Sequence, residues 1–568
     1  MRQLCLLLAL TATSGAVAQS VFNDPDVIVP KTTMVHSGEK PGTVHTEYVR
    51  YVGIWRGIHT EEPFPEVLSG PALQSIPGYH PADIYAAYNY PAGRGYGAIA
   101  VVLWDDQPNI LSDFNTFSSA FGLPAESSTD RTSSSNKVFQ VVYANGTPPP
   151  PDPDAGGEES LDVEWTHAMA PNAKIYLVEA ASGSTSDLMV AEQVAASLPG
   201  VHEVSNSWIS YGGFSGEQQD DVNFTAKNIL YLAGSGDLPG VHGWPSESPN
   251  VISCGGTTLN LSNDVVTSET GWNSSGGGKS NFESIPAFQA SVAGIVGNVR
   301  GTPDISSVAD PATGVAVYDS YGAGGWIVVG GTSVATPVCA GMLNGRQYVE
   351  ANSAAYLTRI YGLKENATYL RDITSGSSGS NVCTVGWDFV TGNGSIKNIL
   401  PPPIANVPFT PVSAAAYPNA TQLRNGTTQS LAATDGNTFR VSSIPQSGLG
   451  QVAGISASYT AKFSGSLANA AVASASLVLD GSSPAAAATG VWFYNWKTGA
   501  YDYQTSVRLA PGGTSLSLAI TNIASYFNAS NQFKAIIRSI VPSNFGSVPS
   551  AYTLSVDQMS LSATPVQG

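Results

Sequence analysis

Residues 99–104 read Ile-Ala-Val-Val-Leu-Trp, six apolar side chains in a row, and stop abruptly on Asp105-Asp106. A strand with one wet face alternates apolar and polar residues. An unbroken apolar run of this length belongs to a strand covered on both faces, as strands of parallel sheets are. Residues 175–178 and 229–233 repeat the pattern, and 204–208 is read as a further strand of the same sheet, with helical stretches such as 188–195 between them. Strand and helix in alternation predict βαβ units and an open α/β sheet.

Two proline-rich stretches punctuate this pattern. Pro148-Pro149-Pro150-Pro151-Asp152-Pro153 must be an extended loop, because proline joins neither a ladder nor a helix interior. Pro401-Pro402-Pro403, Pro408 and Pro411 read as a stiff spacer between domains. Beyond it the period changes to two: Leu516, Leu518 and Ile520 alternate with Ser517 and Ala519, and Tyr552, Leu554 and Val556 with Thr553 and Ser555. With turns such as Lys497-Thr498-Gly499, this predicts a separate antiparallel β-sandwich. At the other end, Arg2, the apolar residues 4–10 and Ala16-Val17-Ala18 form a secretory leader. The expected organisation is a signal peptide over 1–18 and an N-terminal extension or short prosegment over 19–77, where no clear period runs. An α/β domain over 78–400, a linker over 401–412 and a β-sandwich over 413–568 follow.

Composition narrows the functional classes. Among 568 residues, Asp+Glu number 42 and Lys+Arg 24, a formal net charge of -18, so nucleic acid is not an expected partner. No stretch after the leader is long and apolar enough to span a bilayer, so a released, extracellular protein is expected, with no membrane partner. A surface poor in cations gathers little excess positive charge when its carboxylates protonate, which suits an acidic medium. Once Cys5 leaves with the leader, Cys254, Cys339 and Cys383 allow at most one disulfide, so cross-links do not organise the fold.

The chemistry gathers at four places. Gly330-Gly331-Thr332-Ser333 runs into a helical pattern, and a serine that opens a helix presents its hydroxyl and turns its amide toward an incoming anion. Pro337 is expected in the first turn of that helix. Ser333 reads as a nucleophile or as an ordinary N-cap, and a base must be found to separate the two. None of the seven histidines stands in a setting that suggests the base. Glu158 and Asp162, at i and i+4, stack on one helix face opposite Leu161, Trp165 and Met169. In a cleft, such a pair shares a proton and can accept another from serine at acid pH; in solvent it is only an acidic helix start. His167 lies off that face and reads as a packing or hydrogen-bonding residue. Asp237, after Gly234-Ser235-Gly236, falls at the C-terminal end of a strand, where α/β sheets build their sites, and a protonated Asp there could donate to an oxyanion. It could equally be a turn aspartate.

Taken together, Glu158-Glu159-Ser160-Leu161-Asp162-Val163-Glu164-Trp165, Ser205-Asn206-Ser207-Trp208, Ser235-Gly236-Asp237, Gly255-Gly256-Thr257-Thr258, Arg300-Gly301-Thr302-Pro303-Asp304, Gly331-Thr332-Ser333 and Gly386-Trp387-Asp388 resemble the sedolisins, the serine-carboxyl peptidases, over roughly 78–399. The resemblance implies a subtilisin-like parallel sheet with flanking helices and hydrolysis of protein or peptide substrates at acid pH by a monomer. It also implies Ser333 as nucleophile, Glu158 as base, Asp162 orienting Glu158, and Asp237 as oxyanion donor. Trp208 would line the substrate cleft near Glu158. A calcium ion would be held by Asp372, Ile373, Thr384, Gly386 and Asp388, an all-oxygen cage suited to a hard cation. Thr384 stands where the family carries glycine, and Leu238-Pro239-Gly240 replaces the family's Ser-Gly after Asp237. The rival reading is a catalytically inactive, peptidase-like secreted binding or adhesion protein, in which the β-sandwich holds a glycan or surface.

Overall fold

The computed structural model describes residues 24–53, 76–363, 367–398, 407–432, 437–446, 449–462, 472–483, 487–542 and 550–565. The leader and Pro401-Pro402-Pro403 lie outside the described residues. The chain divides into two units, Met1–Pro402 and Pro403–Gly568.

In the first unit seven parallel strands lie side by side in the order Phe139–Tyr143, Lys174–Ala180, Ala98–Trp104, Val201–Asn206, Leu230–Gly234, Val251–Ser262 and Ile305–Val308. Every residue of Ala98–Trp104 is buried, as its unbroken apolar run requires. After the strand Lys174–Ala180 the chain crosses to the other side of Ala98–Trp104. The carboxyl ends of the strands beside this switch point, at Asn206 and Gly234, face the crevice where open α/β sheets bind ligands.

Three sequence expectations need correction in detail. Residues 204–208 are not one strand: Val201–Asn206 ends before Ser207, and Trp208 opens a separate strand, Trp208–Tyr211, in another sheet. The break frees the Ser207 hydroxyl to bond Asp162. The helix that carries Glu158 and Asp162, Pro153–Met169, starts on an Asp152 cap with proline in its first turn, but all of residues 155–169 are buried, polar face included. The serine helix spans Thr332–Asn344, so Pro337 sits inside it rather than in the first turn. The two helices pack tightly, and a side chain at Gly341 would meet Met169 Cβ at 2.4 Å. Cys254, Cys339 and Cys383 are all buried and free. Among the described residues, no helix is long and apolar enough to cross a membrane.

The second unit is a sandwich of two antiparallel six-stranded sheets. Its core takes alternate residues such as Leu477, Leu479, Leu554, Val556, Ile455 and Ile537. Lys497-Thr498-Gly499 forms the turn between Ala488–Asn495 and Ala500–Arg508, with Gly499 at φ +71°. Val407–Phe409, placed by sequence within the linker, is a strand paired with Thr553–Pro565.

Candidate active site

Glu158 and Asp162, one helical turn apart, are both wholly buried. The Ser207 hydroxyl donates to Asp162 Oδ1 at 2.8 Å, while Asp162 Oδ2 and Glu158 Oε1 have no partner among the described residues. Burial first, then the Asp162 charge, holds the Glu158 carboxyl well above the usual range, and the neighbouring Ser333 hydroxyl opposes that rise. Ser333, second residue of its helix, is buried, and its Oγ makes no well-aligned hydrogen bond even though it lies close enough to act on Glu158. Burial also raises Asp162, against the pull of Ser207. Burial and mutual repulsion therefore oppose ionisation of both at once. The pair sits where neither solvent nor a cation can hold two negative charges.

Asp237 lies three residues past the strand Leu230–Gly234. Its Oδ1 accepts from the Thr332 amide at 2.8 Å and from the Thr332 hydroxyl at 2.9 Å, and its Oδ2 has no partner among the described residues. Burial pushes its pKa up to about 7, against the pull of those two donors. The Asp237 amide donates to the Tyr211 hydroxyl at 3.0 Å. Gly331, at φ +116°, admits no side chain, since a Cβ would lie 2.2 Å from the Glu47 carbonyl oxygen and 2.6 Å from Asp237 Oδ2.

That Glu47 carbonyl belongs to the segment read from sequence as an N-terminal extension or short prosegment, in which no site residue was expected. His45–Thr46 pairs antiparallel with Trp208–Tyr211, and Val49–Tyr51 pairs antiparallel with Gly325–Gly330. Glu47 and Tyr48 bridge the two pairings and cross the site. The Ser333 amide donates to the Glu47 carbonyl at 3.1 Å, and the Glu47 amide donates to Glu158 Oε2 at 3.2 Å. The Glu47 side chain is buried too: Oε1 accepts from the Thr332 hydroxyl at 3.2 Å, and Oε2 has no well-aligned partner among the described residues. Tyr48 donates to the Asp154 carbonyl at 2.5 Å. The stretch His45-Thr46-Glu47-Tyr48-Val49 shows no period long enough to mark it, and its partners lie far along the chain. Thr332 and Ser207 stood inside quoted motifs, but only the fold shows what they hold.

Trp208 is buried in the strand that receives this segment, opposite Thr46, its ring 5.8 Å from Trp244. Several histidines have other partners. His45 meets Glu39 at 2.8 Å, His242 meets Glu247 at 2.6 Å, and His167 meets the Pro124 carbonyl at 2.8 Å. Farther away, Asp372 follows the strand Leu370–Arg371 and faces the loop 384–388. The Gly386 amide donates to Asp372 Oδ2 and the Thr384 amide to Asp388 Oδ2, each at 3.0 Å, so both carboxylates converge on one short loop. Ile373 is buried beside it.

No family model matches the chain. Among curated proteins, sedolisin of Pseudomonas sp. (strain 101) is 28% identical over 448 residues, covering 69% of this chain and 73% of that protein. Kumamolisin of Bacillus sp. (strain MN-32) is 30% identical over 357 residues, 56% of this chain and 62% of its own length. Xanthomonalisin of Xanthomonas sp. (strain T-22) is 26% identical over 414 residues, 59% and 48% of the two chains. Among solved structures, Pseudomonas sedolisin complexed with two molecules of pseudo-iodotyrostatin shares 25% identity over 57% of this chain and 96% of that one, at a TM-score of 0.48.

Proposed function

The chain belongs to the sedolisin family of serine-carboxyl peptidases, and from that premise we propose that it is a secreted peptidase that works in acid through Ser333, Glu158, Asp162 and Asp237. One observation carries the reading: a peptide carbonyl, that of Glu47, rests on the Ser333 amide inside a ring of buried carboxyls.

Ser333 Oγ attacks a substrate carbonyl carbon while Glu158 takes the hydroxyl proton. Asp162, anchored by Ser207, shares one proton with Glu158, so that one of the two is ionised and able to accept. The oxyanion is held by the Ser333 amide and by a proton on Asp237, the latter available because that carboxyl stays neutral up to about pH 7. Glu158 returns its proton to the leaving nitrogen as the C–N bond breaks, and water releases the acyl group from Ser333 by the reverse sequence. Asp372 and Asp388, with carbonyls of Ile373, Thr384 and Gly386, would hold a calcium ion whose role is to stiffen their loop; the convergence of two carboxylates there supports it. Protein and peptide chains are the substrates of this monomeric enzyme, and neither nucleic acid nor membrane is a partner. Casein digestion at pH near 4 by the wild type and by Ser333→Ala tests the reading. Loss of cleavage in the variant is expected, and equal cleavage by both defeats it.

A further inference from the structure

We propose that the cleft selects glutamate at the residue immediately before the cleaved bond. This rests on the peptidase reading above and adds the substrate class to it.

The segment 45–51 crosses the site as a substrate strand would, paired on one side through His45 and Thr46 and on the other through Val49 to Tyr51. Because the Glu47 carbonyl takes the Ser333 amide, Glu47 holds the position whose side chain a peptidase reads before cutting. That side chain goes into a pocket with a floor at Gly234: a Cβ there would stand 2.5 Å from Glu47 Oε2 and 2.9 Å from Cδ. The pocket is deep because residue 234 has no side chain.

Its polar inventory fits a neutral carboxyl group. Thr332 Oγ1 has one hydrogen and two lone pairs. The hydrogen goes to Asp237 Oδ1 at 2.9 Å, and one lone pair accepts the Gly236 amide at 3.1 Å. The same hydroxyl also donates to Glu47 Oε1 at 3.2 Å, so its hydrogen is shared between the two carboxyl groups. The Gly236 amide also donates toward this carboxyl, but an ionised form would face the charges of Asp237, Asp162 and Glu158, with the Tyr211 hydroxyl and the Cys254 thiol as further titratable neighbours. Burial and these charges hold Glu47 in the protonated form. An aliphatic side chain would give the Thr332 hydroxyl and the Gly236 amide no acceptor in the pocket.

The test uses the purified full chain at pH near 4 with a mixture of peptides from a denatured protein. New termini are mapped by mass spectrometry, the chain's own included. Glutamate before the cut should be enriched at least about fivefold over its frequency in the mixture. In paired peptides, kcat/KM for Glu should exceed that for Leu by at least about tenfold. Gly234→Ala should compress that ratio by a similar factor, since its methyl occupies the pocket floor. If Gly234→Ala does not fold, the wild-type termini decide alone. Ser333-dependent cuts without glutamate enrichment, or a ratio that Gly234→Ala leaves unmoved, overturn this inference and spare the peptidase reading. Absence of any Ser333-dependent cut, in the chain or the peptides, overturns both.

Discussion

In the proposed mechanism Asp237 acts only while it carries a proton, and its surroundings decide which oxygen carries it. Two Thr332 donors claim Oδ1, so the proton resides on the unpartnered Oδ2, beside the carbonyl that rests on Ser333. Its folded pKa, about 7, lies above the ordinary value near 3.9. Its contribution to stability is therefore full below the ordinary value and fades as pH climbs through about 7, and its power to donate fades over the same range. Asp237→Ala should lower kcat by about 10²–10³-fold. Asp237→Asn keeps a donor that does not titrate, so it should lose less and should flatten the fall in kcat near pH 7. Profiles of kcat against pH for the two variants check this. Ser333, Glu158, Asp162 and Asp237 could be singled out as candidates in sequence because each carries a local mark: a glycine turn before a helix, an i,i+4 spacing, a strand end. Glu47 has no such mark, because what gives it a role is contact with Thr332 and Ser333, more than 280 residues away.

At the scale of elements, two of the motifs hold the scaffold rather than the substrate. Arg300 and Asp304 form a fully buried two-pronged pair, Nη1 to Oδ1 at 2.8 Å and Nη2 to Oδ2 at 2.5 Å. Tyr361 and the Ser253 amide complete the carboxylate's bonds. Removing one partner leaves the other charge buried without compensation, so Asp304→Ala should cost about 3–5 kcal/mol, read from urea unfolding, with cleavage specificity unchanged in whatever fraction stays folded. The loop 384–388 makes the second case. Calcium at about 100 times its dissociation constant should add about 2.7 kcal/mol, seen as a rise in Tm that a chelator reverses. Asp388→Ala should abolish that response. A Tm indifferent to calcium in the wild type would remove the ion from the account. Element boundaries were less legible than element types. The stretch Val204-Ser205-Asn206-Ser207-Trp208 contains a break at Ser207, and Pro337 sits inside a helix that starts earlier than its local pattern suggests.

At the scale of the molecule, many carboxyl groups are buried, and neighbouring arginines offset that burial only in part. Burial is the first cause in each case: it lifts Asp105 to about 6, Glu203 to about 7, Glu283 to about 8, Glu179 to about 9 and Glu217 to about 10, with neighbouring carboxylates adding to the rise for all of these except Glu203. Each such group stabilises the fold fully below its ordinary pKa near 4 and loses that contribution as pH rises through its raised value. Tm should therefore be highest in acid and should fall, on the order of 10 °C or more, between pH 5 and 9. Scanning calorimetry across that range checks it, and a Tm that rises toward neutrality contradicts it. The scarcity of Lys and Arg already pointed to an acidic medium. What sequence could not disclose is which carboxyls lie inside. The parallel sheet, the β-sandwich and the paired acids of one helix were readable from the chain alone, because periodicity and spacing act between near neighbours. The joining of Glu47, Glu158, Asp237 and Ser333, and the placing of the protons among them, belong to tertiary structure. Both depend on desolvation by segments that meet only when the chain is folded.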